Sequence, residues 1–345
     1  MTRLQTEKSS QTSTQFGIVL VNYNGWDDTI ECLESIAQCD PKPEVVVVDN
    51  ASVEDRSKEI LGRFPNIHWV ASRDNTGWSG GNNLGIRFFL DRDNCPDVIF
   101  LLNNDTRVAS DILQVISDAL DQGYDVVGPV INEYSDPDVI QTQGTAFNRK
   151  DQSLNFFSVI PTPIDSEHIT VTPVDIVNGC AVAIRREVFD RIGLIDERFF
   201  LICEESDFCL RATEAGFRCG VVHRSLVWHK HSVTFARAGK PIQRYYGVRN
   251  LWLLIRHHSG GPQRKTWLAS VVLYWRRAFY VYSHELDLRN PAGARAVCDG
   301  IADALLGRYG KWTERTTVFS RMISLLMNTV WWIRGGRKNR STLAP

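Results

Sequence analysis

The sequence holds eight cysteines, at 32, 39, 95, 180, 203, 209, 219 and 298, and no two of them form a Cys-x-x-Cys pair. That absence argues against a zinc knuckle and a secreted disulfide scaffold, and leaves reduced thiols in a cytoplasmic protein as the simpler reading. Also missing is an apolar run of the roughly 18 residues that a membrane-spanning helix needs. No secretory leader is expected, because residues 1–15 are rich in Ser, Thr and Gln and read as a disordered tail. The Gly-x-Gly-x-x-Gly fingerprint of a dinucleotide-binding sheet does not follow the first apolar strand. Asn22-Tyr23-Asn24-Gly25-Trp26 stands there instead, which disfavours a nicotinamide-dependent oxidoreductase. No nucleic-acid-binding motif is present and the basic residues are diluted by apolar ones, so nucleic acid is not an expected partner.

What is present is an uneven charge. The 345 residues sum to −1, but residues 1–219 hold 18 Lys/Arg against 35 Asp/Glu (−17), while residues 220–345 hold 21 against 5 (+16). An acidic body with a basic tail points to a tail that meets anions. The apolar fraction of 43% and charged fraction of 23% fit a soluble globular protein. The length suits one large domain with an appendage, or two ordinary domains.

Short apolar runs alternate with helical stretches through the first hundred residues. Phe16 to Val21, Val45 to Val48, Ile67 to Ala71 and Val98 to Leu102 read as buried strands. Helices are expected from a capping box at Asp28-Thr29-Ile30-Glu31 to Cys39, over Asp55 to Arg63, and over Gly80 to Leu90. This alternation predicts an α/β fold with a mostly parallel sheet. Three strands end in Asn or Asp, so Asn22/Asn24, Asp49/Asn50 and Asn103/Asp105 converge on one sheet edge, where open α/β sheets bind ligands. Oxygen ligands there suit a hard divalent cation and, through it, phosphate. The Gly-rich stretch Asn75 to Asn83 has no Lys for a P-loop. A flexible turn explains it as well as a backbone approach to a diphosphate does.

Four segments in order, Asn22-Tyr23-Asn24, Val48-Asp49-Asn50-Ala51-Ser52, Asn75-Thr76-Gly77 with Gly80-Gly81-Asn82-Asn83-Leu84-Gly85, and Leu102-Asn103-Asn104-Asp105-Thr106, resemble those of the family 2 glycosyltransferases, and most closely a bacterial rhamnosyltransferase-like branch. The resemblance spans about residues 16–250. It implies a GT-A fold, a nucleoside-diphosphate sugar donor (dTDP-rhamnose or a UDP-sugar) and a divalent metal, Mn²⁺ or Mg²⁺. By the same resemblance Val21, Tyr23, Asn24 and Asp49 contact the nucleoside. Asn50, Asn75, Gly77, Gly81, Asn82, Asn103 and Asn104 complete the donor site, and Asp105 holds metal. The family's Asp-x-Asp begins here with Asn103, leaving Asp105 as its one ionised ligand.

Further on, residues 148–166 read as an irregular excursion, Val174 to Arg186 as two strands about a Gly turn, and Glu187 to Ile192 as a short helix. Glu204-Glu205-Ser206-Asp207 puts three carboxylates in four residues, an unfavourable cluster unless a cation, proton or polar substrate offsets it. At a helix start near Ser206 the macrodipole favours them. With Phe199-Phe200 before and Leu210-Arg211 after, the segment resembles the family's Glu-Asp-x-Asp. That implies Glu205 as the general base that deprotonates the acceptor hydroxyl, with Glu204 and Asp207 holding the acceptor or bracing the helix. Strands are expected either side of His223. The Trp228-His229 pair resembles the family's second metal ligand, giving His229 to the metal beside Asp105, with His231 as a register-shifted alternative. Tyr245-Tyr246-x-x-Arg249-Asn250 also matches the branch and offers Arg249 to the diphosphate.

From Leu251 the chain reads as helices over Leu251–His258, Thr266–Tyr282, Ala292–Leu306 and Val318–Ile333, mixing aromatics with Arg. Such faces suit a membrane interface, a helical layer packed on the body, or a homo-oligomer. The expected organisation is a tail (1–15), a catalytic domain (16–250) and a basic helical region (251–345). The expected protein is a cytoplasmic glycosyltransferase, peripheral on the inner face of the membrane, acting on a surface glycan or lipid-linked acceptor. A non-catalytic nucleotide-sugar or glycan-binding module is the alternative.

Overall fold

The computed structural model describes residues 14–148, 153–158, 169–230, 240–258 and 264–333. In chain order the strands are β1 (Phe16–Asn22), β2 (Glu44–Asp49), β3 (Ile67–Ala71), β4 (Val98–Asn103), β5 (Thr106–Val108) and β6 (Val126–Glu133). There follow β7 (Ile140–Thr142), β8 (Thr145–Asn148), β9 (Ser153–Ser158), β10 (Val171–Pro173), β11 (Ala181–Arg185) and β12 (Cys219–His229). The described helices of the body are α1 (Trp26–Ile36), α2 (Ser57–Arg63), α3 (Gly77–Leu90), α4 (Ile112–Asp121), α5 (Arg186–Ile192) and α6 (Glu204–Glu214). A C-terminal layer adds α7 (Lys240–His258), α8 (Arg264–Asp287), α9 (Pro291–Leu306) and α10 (Val318–Ile333).

The main sheet runs β10-β12-β6-β11-β4-β1-β2-β3, with β5 on β12 and β7 on β6. Strands β3, β2, β1 and β4 are parallel, and β11 is antiparallel to both its neighbours. Register fixes the site: Asn22 lies opposite Asp49 and Val21 opposite Asn103, so the expected edge residues are brought level. Alternate side chains of β1 face opposite layers. Ile18 and Leu20 pack with Leu33, Ile112 and Ile116, while Val19 packs with Ile86, Phe89 and Phe208. A third core joins Phe199 and Leu210 of the body to Leu254, Tyr274, Val297 and Met327. The basic region is therefore a packed layer, and α7 runs unbroken through residue 250.

Several expectations are corrected. The Asp28/Glu31 capping box does not form: α1 starts at Trp26 without a side-chain cap, and both carboxylates instead accept from Lys230. The helix expected from Gly80 opens three residues earlier, at Gly77, and its glycines serve where it lies too close to β1 for side chains. A Cβ on Gly81 would stand 2.6 Å from Val21, and one on Gly85 2.3 Å from Val19. Within 148–166 the described residues pair as a β8–β9 hairpin. Residues 174–180 form no strand beyond one bridge between Ile176 and Thr145. The two strands expected around His223 are one strand, β12, with register shifts after Val222 and Ser225. The expected tail falls outside the described residues up to residue 13, but its end is fastened, Gln15 N donating to Asp97 (2.9 Å). All eight cysteines are free. No helix among the described residues is long and apolar enough to cross a membrane.

Candidate functional site

The edge amides hold one another's loops. Asn22 donates to Ser52 Oγ (2.9 Å) and accepts from Gly25 N and Thr29 Oγ1 (3.0 Å each). Asn104, from the loop after β4, donates to Asn22 Oδ1 (3.2 Å) and Thr29 Oγ1 (2.9 Å), locking that loop to the one after β1. Asn50 accepts from Thr76 N (3.0 Å) and donates to Gly77 O (2.9 Å), and Asn75 accepts from Gly77 N (2.8 Å). Asn82 donates to Trp78 O (2.9 Å). These residues set the backbone that a ligand would meet. Asn24, at φ 58°, accepts from Val53 N (2.8 Å), and Asp49 accepts from Ser52 N (2.9 Å). Half-buried Val21 and exposed Tyr23 complete that edge.

Asp105 and His229 come together across the β5–β12 pairing, with Asp105 Oδ1 3.2 Å from His229 Nε2. Neighbouring ligands on an octahedral ion with bonds of about 2.1 Å stand about 3 Å apart, so the pair has the spacing of two metal ligands. The orientation agrees. His229 Nδ1–H donates to Gln141 Oε1 (2.7 Å), which directs Nε2 at Asp105 as an outer-shell partner directs a metal-ligating histidine. Burial opposes a charge on this ring, but the Cys180 sulfur and the Asp105 carboxylate outweigh it and push the imidazole up to about 11. A cation binding here displaces that proton. Lys230 steadies the strand end: its N–H donates to Asp105 O (3.0 Å) and its Nζ to Asp28 (2.8 Å) and Glu31 (2.5 Å).

Helix α6 begins at Glu204, so all three carboxylates lie in its first turn. Glu204 is 5% exposed and one of its oxygens has no partner among the described residues. Burial, then the neighbouring Glu205 charge, raises its proton affinity well above the carboxylate range. Burial also raises half-buried Glu205. Asp207, fully buried, differs: it accepts from Arg211 Nε (2.8 Å), His257 Nδ1 (2.8 Å) and His258 Nε2 (3.0 Å). Burial opposes its ionisation, yet these donors hold it well below the usual range. His258 also donates to Glu214 (3.0 Å), so both its ring nitrogens carry protons, and its proton affinity is raised although burial works the other way. Asp207, His257 and His258 have ligand atoms within 4.8 Å of one another, a spacing open to a metal. The donor chemistry there fits an ion-pair network better. Arg211 occupies the second Asp207 oxygen, and Arg198 donates to His257 Nε2 (3.0 Å), which keeps the ring hydrogen on the nitrogen facing Asp207.

Trp78 joins the two sides. Its Nε1–H donates to Asn103 Oδ1 (3.0 Å), and a Cβ on Gly179 would lie 3.2 Å from both the Trp78 ring and Glu205 Cβ. Trp78 and Gly179 therefore link the end of β4 to the start of α6. Arg249 is 0% exposed, which excludes a surface position. Its N–H groups go to Arg198 O, Phe199 O, Gly310 O and Asn250 Oδ1 rather than outward. His231 lies outside the described residues. Gln141, Trp78, Thr29, Ser52, His257 and His258 were not anticipated. The adjacent His257-His258 pair was the one visible signal among them.

A parallel sheet interrupted by an antiparallel β11 is the architecture of GT-A glycosyltransferases. The family model described as Glycosyl transferase family 2 matches residues 17–193. The chain is 30% identical over 240 residues to the low-salt glycan biosynthesis hexosyltransferase Agl10 of Haloferax volcanii, covering 68% of this chain and 74% of that one. It is 27% identical over 222 residues to the dTDP-rhamnosyl transferase RfbF of Shigella flexneri, covering 61% and 70%. Among solved structures it resembles the mannosyltransferase PcManGT of Pyrobaculum calidifontis, in complex with GDP-Man and Mn²⁺, at TM-score 0.50 and 16% identity over 96% of this chain and 84% of that one. The protein belongs to the family 2 glycosyltransferases.

Proposed function

We propose that this glycosyltransferase moves a hexose, with rhamnose from dTDP-rhamnose as the leading donor, onto a hydroxyl of a glycan or lipid-linked acceptor with inversion at the anomeric carbon. The likeness to RfbF supports the donor. The observation that carries the reading is that Trp78 bonds Asn103 at the donor edge while both Trp78 and Glu205 lie against Gly179. Glu205 takes the acceptor hydroxyl proton as the acceptor oxygen bonds to the anomeric carbon and the bond to the diphosphate oxygen breaks. Burial raises its proton affinity toward the working pH, which strengthens it as a base. Asp105 and His229 would hold a Mn²⁺ or Mg²⁺ ion, which when bound offsets charge on the departing diphosphate. Val21, Tyr23, Asn24 and Asp49 line the nucleoside side, and the locked amides keep those loops in place.

The acceptor is placed at an anionic membrane surface by α10. Val318, Met322, Leu325, Leu326 and Ile333 on that helix are exposed, and Arg321 is its sole charged residue. The sequence beyond it, residues 334–345, carries four Lys/Arg and no acid. Trp and Leu beside Arg are the composition of helices that lie in a lipid interface. Sedimentation with vesicles containing an anionic phospholipid checks this, and failure to sediment at low salt would remove it.

Glu205→Gln should lower transfer by about 10²–10⁴-fold while nucleotide binding survives. Asp105→Asn should lower both transfer and Mn²⁺ affinity. Full turnover by both variants would end the site assignment, and no nucleotide release from any donor tried would favour a non-catalytic binding module.

A further inference from the structure

We infer that Asn250 and Arg249 are positioning residues that hold the loop before α6, so that the C-terminal helical layer sets where Glu205 stands. The inference rests on Glu205 as the base.

The loop is strained. Phe200 (φ 63°), Ile202 (φ 73°) and Cys203 (φ 72°) are left-handed without being glycine, immediately ahead of Glu204 and Glu205. A β-branched residue in that region is a genuine outlier and persists only where its surroundings over-determine it. The surroundings here are two adjacent residues of α7. Asn250 Nδ2 lies 2.9 Å from Phe199 O, 2.7 Å from Leu201 O and 2.6 Å from Ile202 O. Arg249 Nη2 donates to Arg198 O (3.0 Å) and Phe199 O (2.7 Å). Its Nε–H donates to Asn250 Oδ1 (2.8 Å), which turns the amide so that its NH₂ group faces the loop. Both side chains are 0% exposed. Tyr246 stacks on Phe200 with ring centres 5.4 Å apart, and the Arg249 guanidinium lies 4.8 Å from the Tyr246 ring centre.

The opposite side of the loop meets the donor edge. Ser79 N donates to Phe200 O (3.3 Å), and a Cβ on Gly77 would stand 2.2 Å from that oxygen. One strained segment therefore touches α3 in front and α7 behind, with the base candidate at its end. If the clamp loosens, the loop relaxes toward right-handed backbone angles and α6 turns at its first residues. A misplacement of about 1 Å at a reacting group costs on the order of 10²-fold in rate.

The test uses the full chain and the donor that it turns over. Asn250→Ala should lower kcat about tenfold or more while donor KM and Mn²⁺ affinity stay within roughly twofold, because Asn250 itself bonds Phe199, Leu201, Ile202 and Arg249 and reaches the donor edge only through the loop. In a Glu205→Gln background the same change should alter the residual rate less than about twofold, since the clamp acts through that carboxylate. Arg249→Lys keeps charge but loses the forked donors and should give the same split in a milder form. It carries the test if Asn250→Ala does not fold. Unchanged kcat, a matching rise in donor KM, or an undiminished effect in the Glu205→Gln background would overturn the proposal. Glu205→Gln alone, turning over at the full rate, would instead remove the base assignment on which it rests.

Discussion

Glu204 and Asp207 are three residues apart in the first turn of α6, both buried and both carboxylates, yet their protons are held oppositely. Asp207 faces α7 and its own Arg211, where three donors keep it ionised. Among the described residues Glu204 meets no such cation and keeps one oxygen unpartnered, and it has Glu205 beside it. The helix end supplies the same dipole to both, so the dipole does not decide. What decides is which residues of the C-terminal layer stand opposite. Groups pushed apart in this way are a signature of sites that need an acid or base near neutral pH. Asp105 is a third case, a carboxylate that faces the proton of His229 Nε2, the proton that a metal held by the proposed pair would displace.

The comparison breaks most visibly through Asp207. Asp207→Asn leaves the buried His258 imidazolium with only the exposed Glu214 and the half-buried Arg211 guanidinium without its carboxylate, and should cost up to about 3–5 kcal/mol at neutral pH, read from the denaturation midpoint. Its lowered proton affinity means that this contribution is present above the unfolded carboxylate value of about 3.9 and is lost as pH falls through the folded one. The His258 part runs the other way, present below about 6.5 and lost as pH rises through its raised folded value. Stability profiles of protein and variant should therefore converge in acid; parallel profiles would contradict the ion-pair assignment.

Next in size is the donor-edge pair. Because a cation displaces the His229 proton, Mn²⁺ affinity should tighten up to tenfold per pH unit between about 6 and 8, with a proton released on binding. Gln141→Ala should weaken that affinity about 10–100-fold by freeing the ring. Calorimetry in two buffers of different ionisation enthalpy checks both, and binding without proton release would place the metal elsewhere. The smallest effect belongs to Glu204. Its raised proton affinity favours the folded state at low pH and loses that advantage as pH rises through the folded value. Glu204→Gln should then stabilise by about 1 kcal/mol at neutral pH and not at all in acid, the reverse of Asp207→Asn.

Much of this was legible before the fold. The four opening strands are where their apolar runs place them, and register brings Asn22, Asp49 and Asn103 to one edge as their strand ends require. The misreadings share a cause. Residues 77–79 read as a turn ahead of the helix because local propensity penalises glycine in helices, but α3 takes them in and contact with β1 calls for its glycines. Asp28 and Glu31 read as a cap because the cation that takes them, Lys230, lies two hundred residues on. Arg249 read as a phosphate ligand or a surface residue because nothing near it in the chain shows the carbonyls it serves.

The residues by themselves determined an α/β chain with amide and acidic strand ends, a carboxylate-led helix and a basic helical C-terminal part. Strand periodicity, turn chemistry and charge are local properties, readable a few residues at a time. Only the tertiary structure decided which amides lock which loops, which carboxylate of α6 meets cations, and that α7 grips the loop before α6. Those outcomes depend on groups as far as 82 residues apart, whose hydrogen bonds exist only once the core has packed.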